Sequence, residues 1–390
     1  MASQHSYDFR SSLLRSYCIL GCVLFLGTPL SQAQDRWVYF GTYTGKNSQG
    51  IYVSRFDPRT GALSSPELAA ESTHPSFLAI HPTRRFLYAV NEIGDFQGKK
   101  QGAVSSFAIN PSTGKLSLLN QQPTGGGAPC HLVIDKRGGT VLVANYSGGS
   151  VSSFPVAQDG SLKAPASFIQ HQGSGPNKSR QEAPHAHGIY LDPQQKWAAV
   201  PDLGLDRVLI HRFDPRSSRL VQHDAPLARL TPGCGPRHFA FHPTRPFGFS
   251  LNELDSTVTV LGWDSQRGQL VAGVSVSTLP AGWTGSSHTA EVFLHPNGRY
   301  LYASNRGHDT IAVFQVDRRH GSLTLIQHQS TEGRTPRGFG IDPDGRWLLA
   351  GSQGSDTVSV FSLNPKSGLL SPTGSPVKVG SPVCVEFLER

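Results

Sequence analysis

Short apolar segments alternate with polar turns along most of the chain, and one arrangement of them recurs. In its clearest copy, a segment at residues 236–243 is followed by a second at 247–252 and by a third, rich in Thr and Val, at 256–261. The next copy continues with segments at 300–305 and 310–316. A repeat of about fifty residues that contains several strands indicates radial or solenoidal repetition rather than a single sandwich.

Seven copies of the three segments can be aligned, and most second segments end in Asn. The second segments span 37–43, 86–91, 140–145, 197–202, 247–252, 300–305 and 347–352, and the first segments begin near 75, 130, 185, 236, 288, 336 and 382. A weaker fourth segment follows a polar turn, as at 116–119 and 323–327. Four strands in each of seven repeats predict an all-β, seven-bladed β-propeller with four-stranded blades. A parallel β-helix is the alternative, but its repeats are shorter and lack these hairpin turns.

The repeat is offset at the two ends of the chain. Its pattern opens with a second segment at 37–43 and closes with a first segment at 383–388. We therefore expect the N- and C-terminal strands to share one blade, which closes the ring and removes the open sheet edges that an array would expose. The propeller domain is predicted to span residues 34–390.

The first 33 residues have the pattern of a signal peptide. Arg10 and Arg15 precede an apolar stretch at 17–27, and the small-residue pattern at 31–33 permits cleavage after Ala33. The stretch is shorter than the roughly 20 residues that span a bilayer, so we expect no stable membrane insertion once the leader is removed. The mature protein is predicted to be exported, to the periplasm or out of the cell.

The composition of the chain limits the classes of partner and cofactor that we expect the protein to bind. The net charge of +8 is spread along the chain without a run of basic residues, so we expect no nucleic-acid partner, whereas an anionic small molecule suits this charge. Outside the leader, Cys130, Cys234 and Cys384 lack metal-ligand spacing; they are predicted to be buried thiols, with a disulfide between two of them as the alternative. The chain has no G-x-S-x-G, H-E-x-x-H, P-loop or dinucleotide fingerprint, so we expect no metal and no cofactor, and covalent serine hydrolysis is disfavoured. The sequence does not indicate an oligomeric state.

In a propeller blade, the start of the innermost strand and the end of the second strand lie at the same mouth of the central channel. The residues at these positions are unusually polar, whereas the other strand ends have repeated turn residues, such as the His-Pro pairs at 81–82, 242–243 and 295–296. Variable charged groups at one mouth indicate a site, and repeated turns indicate scaffold. The polar set comprises His131, His185, His187, Arg237, His238, His288 and Arg337 at strand starts, and Asn91, Glu92, Asn145, Tyr146, Asp202, Asn252, Glu253, Asn305, Arg306 and His308 at strand ends.

Several of these residues also have a structural interpretation. His185 and His187 have the same-face spacing of two metal ligands on a strand, but a His-x-His pair alone is weak evidence for a metal. The asparagines recur in register, so some of them are expected to cap turns. Arg237 and Glu253 are expected to meet at the mouth, where they form either a structural ion pair or part of a catalytic site.

Six phrases of the chain carry a family resemblance: YFGTYT from Tyr39, PHAHG from Pro184, GPRHFAFHP from Gly235, NE at Asn252, SNRGHDTIAVF from Ser304 and TPRGFGIDP from Thr335. With them, essentially the whole mature chain resembles the seven-bladed propeller lactonase family, which includes bacterial 6-phosphogluconolactonases and fungal carboxy-cis,cis-muconate lactonising enzymes. The muconate branch implies a catalytic His, Glu and two Arg. By motif these fall on His187, Arg237, Glu253 and Arg306, with His185 and Arg337 as alternative assignments. The expected substrate-binding residues are His185, His238, Arg337, Asn252 and Asn305.

The resemblance implies metal-free hydrolysis of a sugar lactone, as in a 6-phosphogluconolactonase. Arg237, helped by Arg306 or Arg337, would hold the acidic end or the carbonyl oxygen as it gains charge. His187 or Glu253 would take a proton from the attacking water. Two alternatives remain: a cycloisomerase acting on a muconate-type dicarboxylate, and a non-enzymatic binding propeller of the cell envelope. Because a phosphogluconolactonase of central metabolism belongs in the cytoplasm, the predicted leader implies either an extracytoplasmic lactone or a misassigned leader.

Overall fold

The computed structural model describes residues 35–223 and 228–388, and within these ranges it contains 29 strands and one short 3₁₀ helix, Gln353–Ser355. The strands form seven antiparallel sheets, the blades, whose strands follow one another from the channel outward in the order named below. Blade 1 contains β29 (Pro382–Leu388), β1 (Arg36–Thr42), β2 (Gly50–Phe56) and β3 (Glu67–Glu71). Blade 2 contains β4 (Leu78–Ile80), β5 (Phe86–Asn91), β6 (Ala103–Ile109) and β7 (Leu116–Pro123). Blade 3 contains β8 (Pro129–Ile134), β9 (Thr140–Asn145), β10 (Ser150–Pro155) and β11 (Ser167–Gln170).

Blade 4 contains β12 (Tyr190–Leu191), β13 (Trp197–Asp202), β14 (Arg207–Asp214) and β15 (Arg219–Gln222), and the short strand β16 (Ala228–Arg229) also pairs with β14. Blade 5 contains β17 (Pro236–Phe241), β18 (Phe247–Asn252), β19 (Thr257–Asp264) and β20 (Gln269–Ser277). Blade 6 contains β21 (His288–Leu294), β22 (Tyr300–Arg306), β23 (Thr310–Val316) and β24 (Leu323–Ser330). Blade 7 contains β25 (Pro336–Ile341), β26 (Trp347–Ser352), β27 (Thr357–Leu363) and β28 (Leu370–Lys378).

The ring closes through blade 1, which joins the two ends of the described chain. β29 pairs antiparallel with β1, with Leu388 opposite Trp37 and Cys384 opposite Gly41. The innermost strands of neighbouring blades pack against each other around a central channel. The predicted fold, a seven-bladed propeller whose terminal strands share a blade, is confirmed, with β16 as an addition to the four strands of blade 4. The predicted leader at residues 1–33 lies outside the described residues.

The second strands agree best with the sequence prediction, because each is an apolar run buried on both faces. Every residue of β5, β9, β13 and β18 is buried. The innermost strand of blade 4 differs, since the pattern predicts a strand from His185 whereas β12 begins at Tyr190. The intervening segment follows β13 through scattered bonds, such as that from the amide of His187 to the carbonyl of Pro201 at 3.0 Å, rather than through a regular ladder.

Buried tyrosines on the second strands connect neighbouring blades. In three of them the hydroxyl donates to a glycine carbonyl in the turn between the third and fourth strands of the next blade. The pairs are Tyr39 with Gly114, Tyr88 with Gly160 and Tyr302 with Gly368, at 2.9, 3.1 and 2.9 Å. Gly160 has a φ of 86°, and a Cβ there would lie 2.3 Å from the ring of Phe86, so this contact between blades requires glycine.

Histidines hold the turns at the mouth of the channel opposite the polar set. Each of them accepts a backbone N–H at Nδ1 from two residues further on, so that Nε2 carries the proton and donates to a carbonyl of the next blade. His81, His242 and His295 donate in this way to Gly138, Gly298 and Gly345, at 3.0, 3.2 and 3.0 Å. The prediction that the His-Pro pairs are turn residues of the scaffold is confirmed.

Candidate functional site

A β-bulge near the start of the innermost strands shapes the mouth of the channel. In β8, β17, β21, β25 and β29 the register shifts, so that two residues of the innermost strand face one residue of the second strand. A bulge changes the direction in which a side chain points. The bulges bring side chains from five blades into one small pocket, which we call the mouth pocket and which is lined among others by Cys130, Arg237, Glu291, Arg337 and Val383.

Glu253, at the end of β18, lies among three arginines. Its Oε1 accepts a hydrogen bond from Nη2 of Arg180 at 2.7 Å, and its Oε2 lies 2.9 Å from Nη2 of Arg306. Nε of Arg237 lies 3.0 Å from the same Oε2, but its N–H is not directed at that oxygen, so this contact is an ion pair without a hydrogen bond. These distances confirm the prediction that Arg237 and Glu253 meet at the mouth, and they add Arg306 to the pair.

The three arginines determine the charge of this group. Burial by itself would raise the pKa of Glu253, but the charges of Arg306 and Arg237, together with Arg180, outweigh burial and hold that pKa well below its usual range. Glu253 is therefore ionised at neutral pH. One carboxylate among three guanidinium groups leaves a net positive charge, which attracts an anionic ligand to this mouth.

The two histidines of the His-x-His pair have different surroundings. In His185 both ring nitrogens are engaged, with Nδ1 3.0 Å from the carbonyl oxygen of Tyr146 and Nε2 3.2 Å from Oε1 of Glu182. In His187, Nδ1 lies 3.5 Å from Sγ of Cys130, and Nε2 makes no hydrogen bond within the described residues. Burial, reinforced by nearby positive charge, holds the pKa of His187 well below its usual value, so its ring is neutral at neutral pH.

His238 lies directly beside Arg237 in β17. Its Nε2 is 3.0 Å from Nη1 of Arg237, and its Nδ1 is 2.6 Å from Oε1 of Glu291 in β21. All three side chains are almost completely buried. His238 therefore contacts the arginine of the mouth pocket on one side and a buried carboxyl on the other.

Asn252 and Asn305, which were expected to bind substrate, are fully buried. The amide of Asn252 donates to the hydroxyls of Thr257 and Thr259, at 2.8 Å each. The amide of Asn305 donates to the carbonyl of Thr278 at 3.0 Å. The contacts of Asn252 span the turn between β18 and β19, and the contact of Asn305 joins blade 6 to the end of blade 5. A part for either asparagine in substrate binding therefore stays a prediction that its own hydrogen bonds do not favour.

A second polar group lines the same pocket. Glu92 Oε2 accepts hydrogen bonds from Oγ of Ser76 at 2.5 Å and from the hydroxyl of Tyr43 at 2.8 Å. Arg337 donates to the Tyr43 hydroxyl at 3.0 Å, and its guanidinium carbon lies 5.3 Å from the centre of the Tyr43 ring. Unlike the arginines around Glu253, Arg337 has no carboxylate within 4.0 Å among the described residues. Its charge is thus available to a ligand.

The mouth pocket is narrow and is closed from below by aromatic rings. Its volume is about 10 Å³, which is room for about one water molecule. Beneath it the rings of Phe77, His131 and His238 lie together, with centroid distances of 4.1 Å from Phe77 to His131 and 5.3 Å from His131 to His238. A larger cavity of about 410 Å³ with mostly apolar walls follows further along the channel and shares Glu291 with the mouth pocket.

Three residues of this mouth were absent from the sequence prediction. Arg180 belongs to the loop between β11 and β12, which has no counterpart in the other blades and therefore no signal in the repeat. Glu291 lies within an innermost strand, and only the bulge in β21 explains why it faces the pocket. Tyr43 directly follows β1, a second strand, so the same alignment that singled out Glu253 contains its signal.

Within the described residues, no group of three or more His, Cys, Asp or Glu side chains is arranged to hold a metal ion. Across the same part of the chain, no helix has both the length and the apolar character needed to cross a bilayer. Cys130, Cys234 and Cys384 are buried free thiols, as predicted. That the protein needs no metal or cofactor stays a prediction.

Comparison with known proteins identifies the family. The chain matches the model of the family described as "Lactonase, 7-bladed beta-propeller" over residues 37–387. A protein of Bacillus subtilis named 6-phosphogluconolactonase is 36% identical over 352 residues, which cover 90% of this chain and 98% of that protein. The family match thus spans all seven blades.

Solved structures agree with the sequence comparison. The structure of a putative 6-phosphogluconolactonase from Bacteroides fragilis has a TM-score of 0.85 and 34% identity, and the match covers 93% of this chain and 100% of that one. The periplasmic gluconolactonase of Pseudomonas aeruginosa has a TM-score of 0.84 and 34% identity, over 91% of this chain and 99% of that one. The chain therefore belongs to the seven-bladed β-propeller lactonase family.

Proposed function

We propose that this protein hydrolyses a sugar lactone at the channel mouth that contains Arg237 and Glu253. One observation carries the proposal: within a lactonase-type propeller, guanidinium groups cluster at the mouth, and Arg237 and Arg337 lie near enough to His187 for their charges to help lower its pKa. Nε2 of this neutral histidine is not engaged by any described residue. Guanidinium groups stabilise the negative charge that develops on a lactone carbonyl oxygen, and a neutral imidazole accepts a proton from water. Both effects accelerate the ring opening of a lactone by water.

In the proposed reaction, the oxygen of a water molecule bonds to the carbonyl carbon of the lactone while a proton of that water passes to Nε2 of His187. Negative charge collects on the carbonyl oxygen, where Arg237 stabilises it. The bond between the carbonyl carbon and the ring oxygen then breaks, and the ring oxygen takes the proton back from the imidazolium. The product is the open-chain hydroxy acid, and His187 is again neutral.

Glu253 is better suited to hold the arginines than to act as the base. Both of its oxygens are already held by guanidinium groups, so taking up a proton would cost these contacts, whereas Nε2 of His187 has no partner among the described residues. Its two oxygens contact Arg180, Arg237 and Arg306, which directs these side chains before a substrate arrives. We assign to Glu253 the orientation of the guanidinium groups, and to His187 the transfer of the proton.

Arg337 is the arginine best suited to an acidic group on the substrate. Its contact within the described residues is the neutral hydroxyl of Tyr43, whereas the charge of Arg306 is matched by Glu253. A guanidinium group binds a carboxylate or phosphate through two parallel hydrogen bonds. We therefore assign the anionic end of the substrate to Arg337, and a supporting role beside Arg237 to Arg306.

The predicted leader favours export and, with it, a gluconolactone without a phosphate group. One relative is named a periplasmic gluconolactonase, while another is named 6-phosphogluconolactonase. Cleavage after Ala33 would leave Gln34 at the N-terminus, so N-terminal sequencing of the protein from the cell envelope tests the location. Intact Met1 on a cytoplasmic protein would reverse the location and favour the phosphorylated substrate.

The reaction is tested by acid release from a panel containing D-glucono-1,5-lactone, its 6-phosphate and a carboxymuconate, each with and without a chelator. We expect acid release from a gluconolactone at a rate that the chelator does not change. Arg237→Lys should abolish most of it, while the control Arg299→Lys, an exposed arginine at the opposite mouth, should not. Ring closure of the muconate would instead assign the cycloisomerase reaction, and inactivity on the whole panel would refute the proposal.

A further inference from the structure

A row of buried contacts continues from Arg237 to Glu291, a residue that the proposed reaction does not use. Nη1 of Arg237 lies 3.0 Å from Nε2 of His238, and Nδ1 of the same ring lies 2.6 Å from Oε1 of Glu291. The exposed fractions of Arg237, His238 and Glu291 are 3%, 2% and 4%, so water does not compete for these contacts. The row begins at the pocket and ends inside the channel.

The partners of His238 determine which of its ring nitrogens carries the proton. A guanidinium group has only donors, so Nε2 of His238 must accept from Arg237 and cannot carry a hydrogen. The remaining proton of the neutral ring is then on Nδ1, where it is donated to Glu291. Burial, followed by the charge of Arg237, holds the pKa of His238 well below its usual value, which agrees with a neutral ring.

Glu291 is itself fixed by the bulge at the start of β21. Its Oε1 also accepts the backbone N–H of Val292 at 2.9 Å, and its own N–H donates to Oγ of Ser304 at 2.9 Å. Two donors therefore meet at one oxygen and hold the carboxyl in one direction. Burial raises the pKa of Glu291 to about 8, but a protonated carboxyl still accepts through its carbonyl oxygen, so the contact with His238 does not require a charge.

The arrangement determines the direction of the Arg237 guanidinium. Nη1 donates both to His238 and to the carbonyl of Ala290, and Nε forms an ion pair with Glu253 at 3.0 Å. If the proton of His238 moved to Nε2, two donors would face each other and the hold on Nη1 would be lost. Arg237 would then lose one of the three contacts that orient it towards the pocket.

We propose that Glu291 is a positioning residue for this mouth: by holding the proton of His238 on Nδ1, it keeps Nε2 as the acceptor that orients Arg237. The effect on turnover rests on the proposed lactone hydrolysis, whereas the effect on His238 and Arg237 does not. Glu291 acts through His238 and Arg237 and does not itself contact the reacting atoms.

The direct test is the tautomer of His238 in the wild-type protein, which requires no substrate. Long-range ¹H–¹⁵N spectra of protein with ¹⁵N-labelled histidine, with His238 assigned from the signal lost in His238→Gln, distinguish a protonated from an unprotonated ring nitrogen. We expect a protonated Nδ1 and an unprotonated Nε2. A protonated Nε2 would overturn the proposal whether or not the protein hydrolyses lactones.

Two variants test whether Glu291 determines the tautomer of His238 and, through Arg237, the turnover. Glu291→Gln keeps an oxygen at the same place, so we expect the same tautomer and little change in kcat. Glu291→Leu removes the acceptor, and we expect Nε2 to become partly protonated and kcat to fall by about tenfold to a hundredfold with a smaller change in KM, because a displaced guanidinium loses transition-state contact. Glu386→Leu is the matched control, because Glu386 also lines the channel but makes no hydrogen bond to His238 within the described residues.

The outcomes separate the two claims. A folded Glu291→Leu variant with an unchanged tautomer and unchanged kcat would refute the positioning role. If this variant does not fold, the wild-type spectrum and Glu291→Gln decide, since a shifted tautomer in the Gln variant would also contradict the proposal. A protein that hydrolyses no lactone but shows the expected tautomers in wild type and variants would refute the proposed function and leave the role of Glu291 intact.

Discussion

The two mouths of the propeller use histidine in different ways. At the mouth where His81, His242 and His295 hold the turns, which we call the turn mouth, His242 accepts from the backbone of Thr244 and donates to the backbone of Gly298. The same contacts recur in two other blades. At the mouth with the pocket, His238 contacts the side chains of Arg237 and Glu291, and no other described blade repeats this set. A contact with backbone suits every blade, whereas a contact with side chains requires the particular neighbours of one blade.

The same contrast extends to charge. The arginine cluster around Glu253 draws Arg180, Arg237 and Arg306 from three different parts of the chain, and each occupies a different structural position. Contacts that recur from blade to blade therefore build the propeller, whereas contacts made in one blade alone bring the charged side chains of the site together. This comparison predicts that changes at the two mouths will separate stability from activity.

Removing the closing strand should abolish both mouths and is expected to have the largest effect. Deleting residues 382–390 removes β29, so that β1 loses its partner and the channel loses one wall. We expect loss of cooperative thermal melting, or aggregation, when melting is followed by circular dichroism and size by gel filtration. A truncated protein that melts like the full-length chain would contradict the closed topology.

Arg237→Lys should affect activity more than stability. The lysine keeps the charge but loses the planar geometry that holds a developing oxyanion, which typically costs about 3 kcal/mol, or about a hundredfold in turnover. The measurement is turnover and melting temperature on the same preparation, with Arg299→Lys as the control at the turn mouth. A lower melting temperature with unchanged activity per folded molecule would show that Arg237 forms only a structural ion pair.

Glu253→Gln should lower both quantities, because Glu253 is the carboxylate shared by three guanidinium groups. The amide removes the charge that offsets them, and we expect the free energy of unfolding to fall by about 2 kcal/mol, together with a loss of turnover. Chemical denaturation and kinetics measure the two effects. Unchanged stability with lost turnover would instead indicate that Glu253 acts directly in the reaction.

His242→Ala should show the opposite pattern to Arg237→Lys. The change leaves the amide of Thr244 and the carbonyl of Gly298 without their buried partner, so we expect a loss of roughly 1.5 kcal/mol in unfolding free energy. Turnover per folded molecule should stay unchanged, because His242 lies at the far mouth. Reduced turnover in a fully folded variant would contradict the claim that the turn mouth contributes to stability and not to activity.

A third class of histidine, buried between strands, should affect stability through pH. Burial, with the charges of His171 and His223, lowers the pKa of His211 from 6.5 to about 3. The unfolded chain therefore binds this proton first, so the contribution is present above pH 6.5 and is lost as pH falls below it, by about 1 kcal/mol at pH 5.5. Unfolding free energies at pH 7.5 and 5.5 should differ less in His211→Gln than in wild type. The exposed His320→Gln is the control, and an equal pH dependence in wild type and His211→Gln would contradict the assignment.

Individual residues show how much of the structure the sequence predicts. Trp197–Asp202 has the bounds that the pattern predicts, because a strand buried on both faces is an uninterrupted apolar run. Arg237 and Glu253 were expected to meet because blade geometry brings a strand start next to the neighbouring strand end. Asn252 was assigned to substrate from its position alone, although its amide bonds to Thr257 and Thr259.

The sequence by itself determined the number of blades, the shared blade at the ends and the mouth where charge collects, because these follow from local periodicity and from strand direction. Only the tertiary structure decided that Arg180 joins Glu253 and that Glu291 meets His238, since both contacts join segments far apart in the chain. The tertiary structure also decided in which direction the bulges point their side chains. A one-residue shift in register depends on how two strands pair and not on either strand alone.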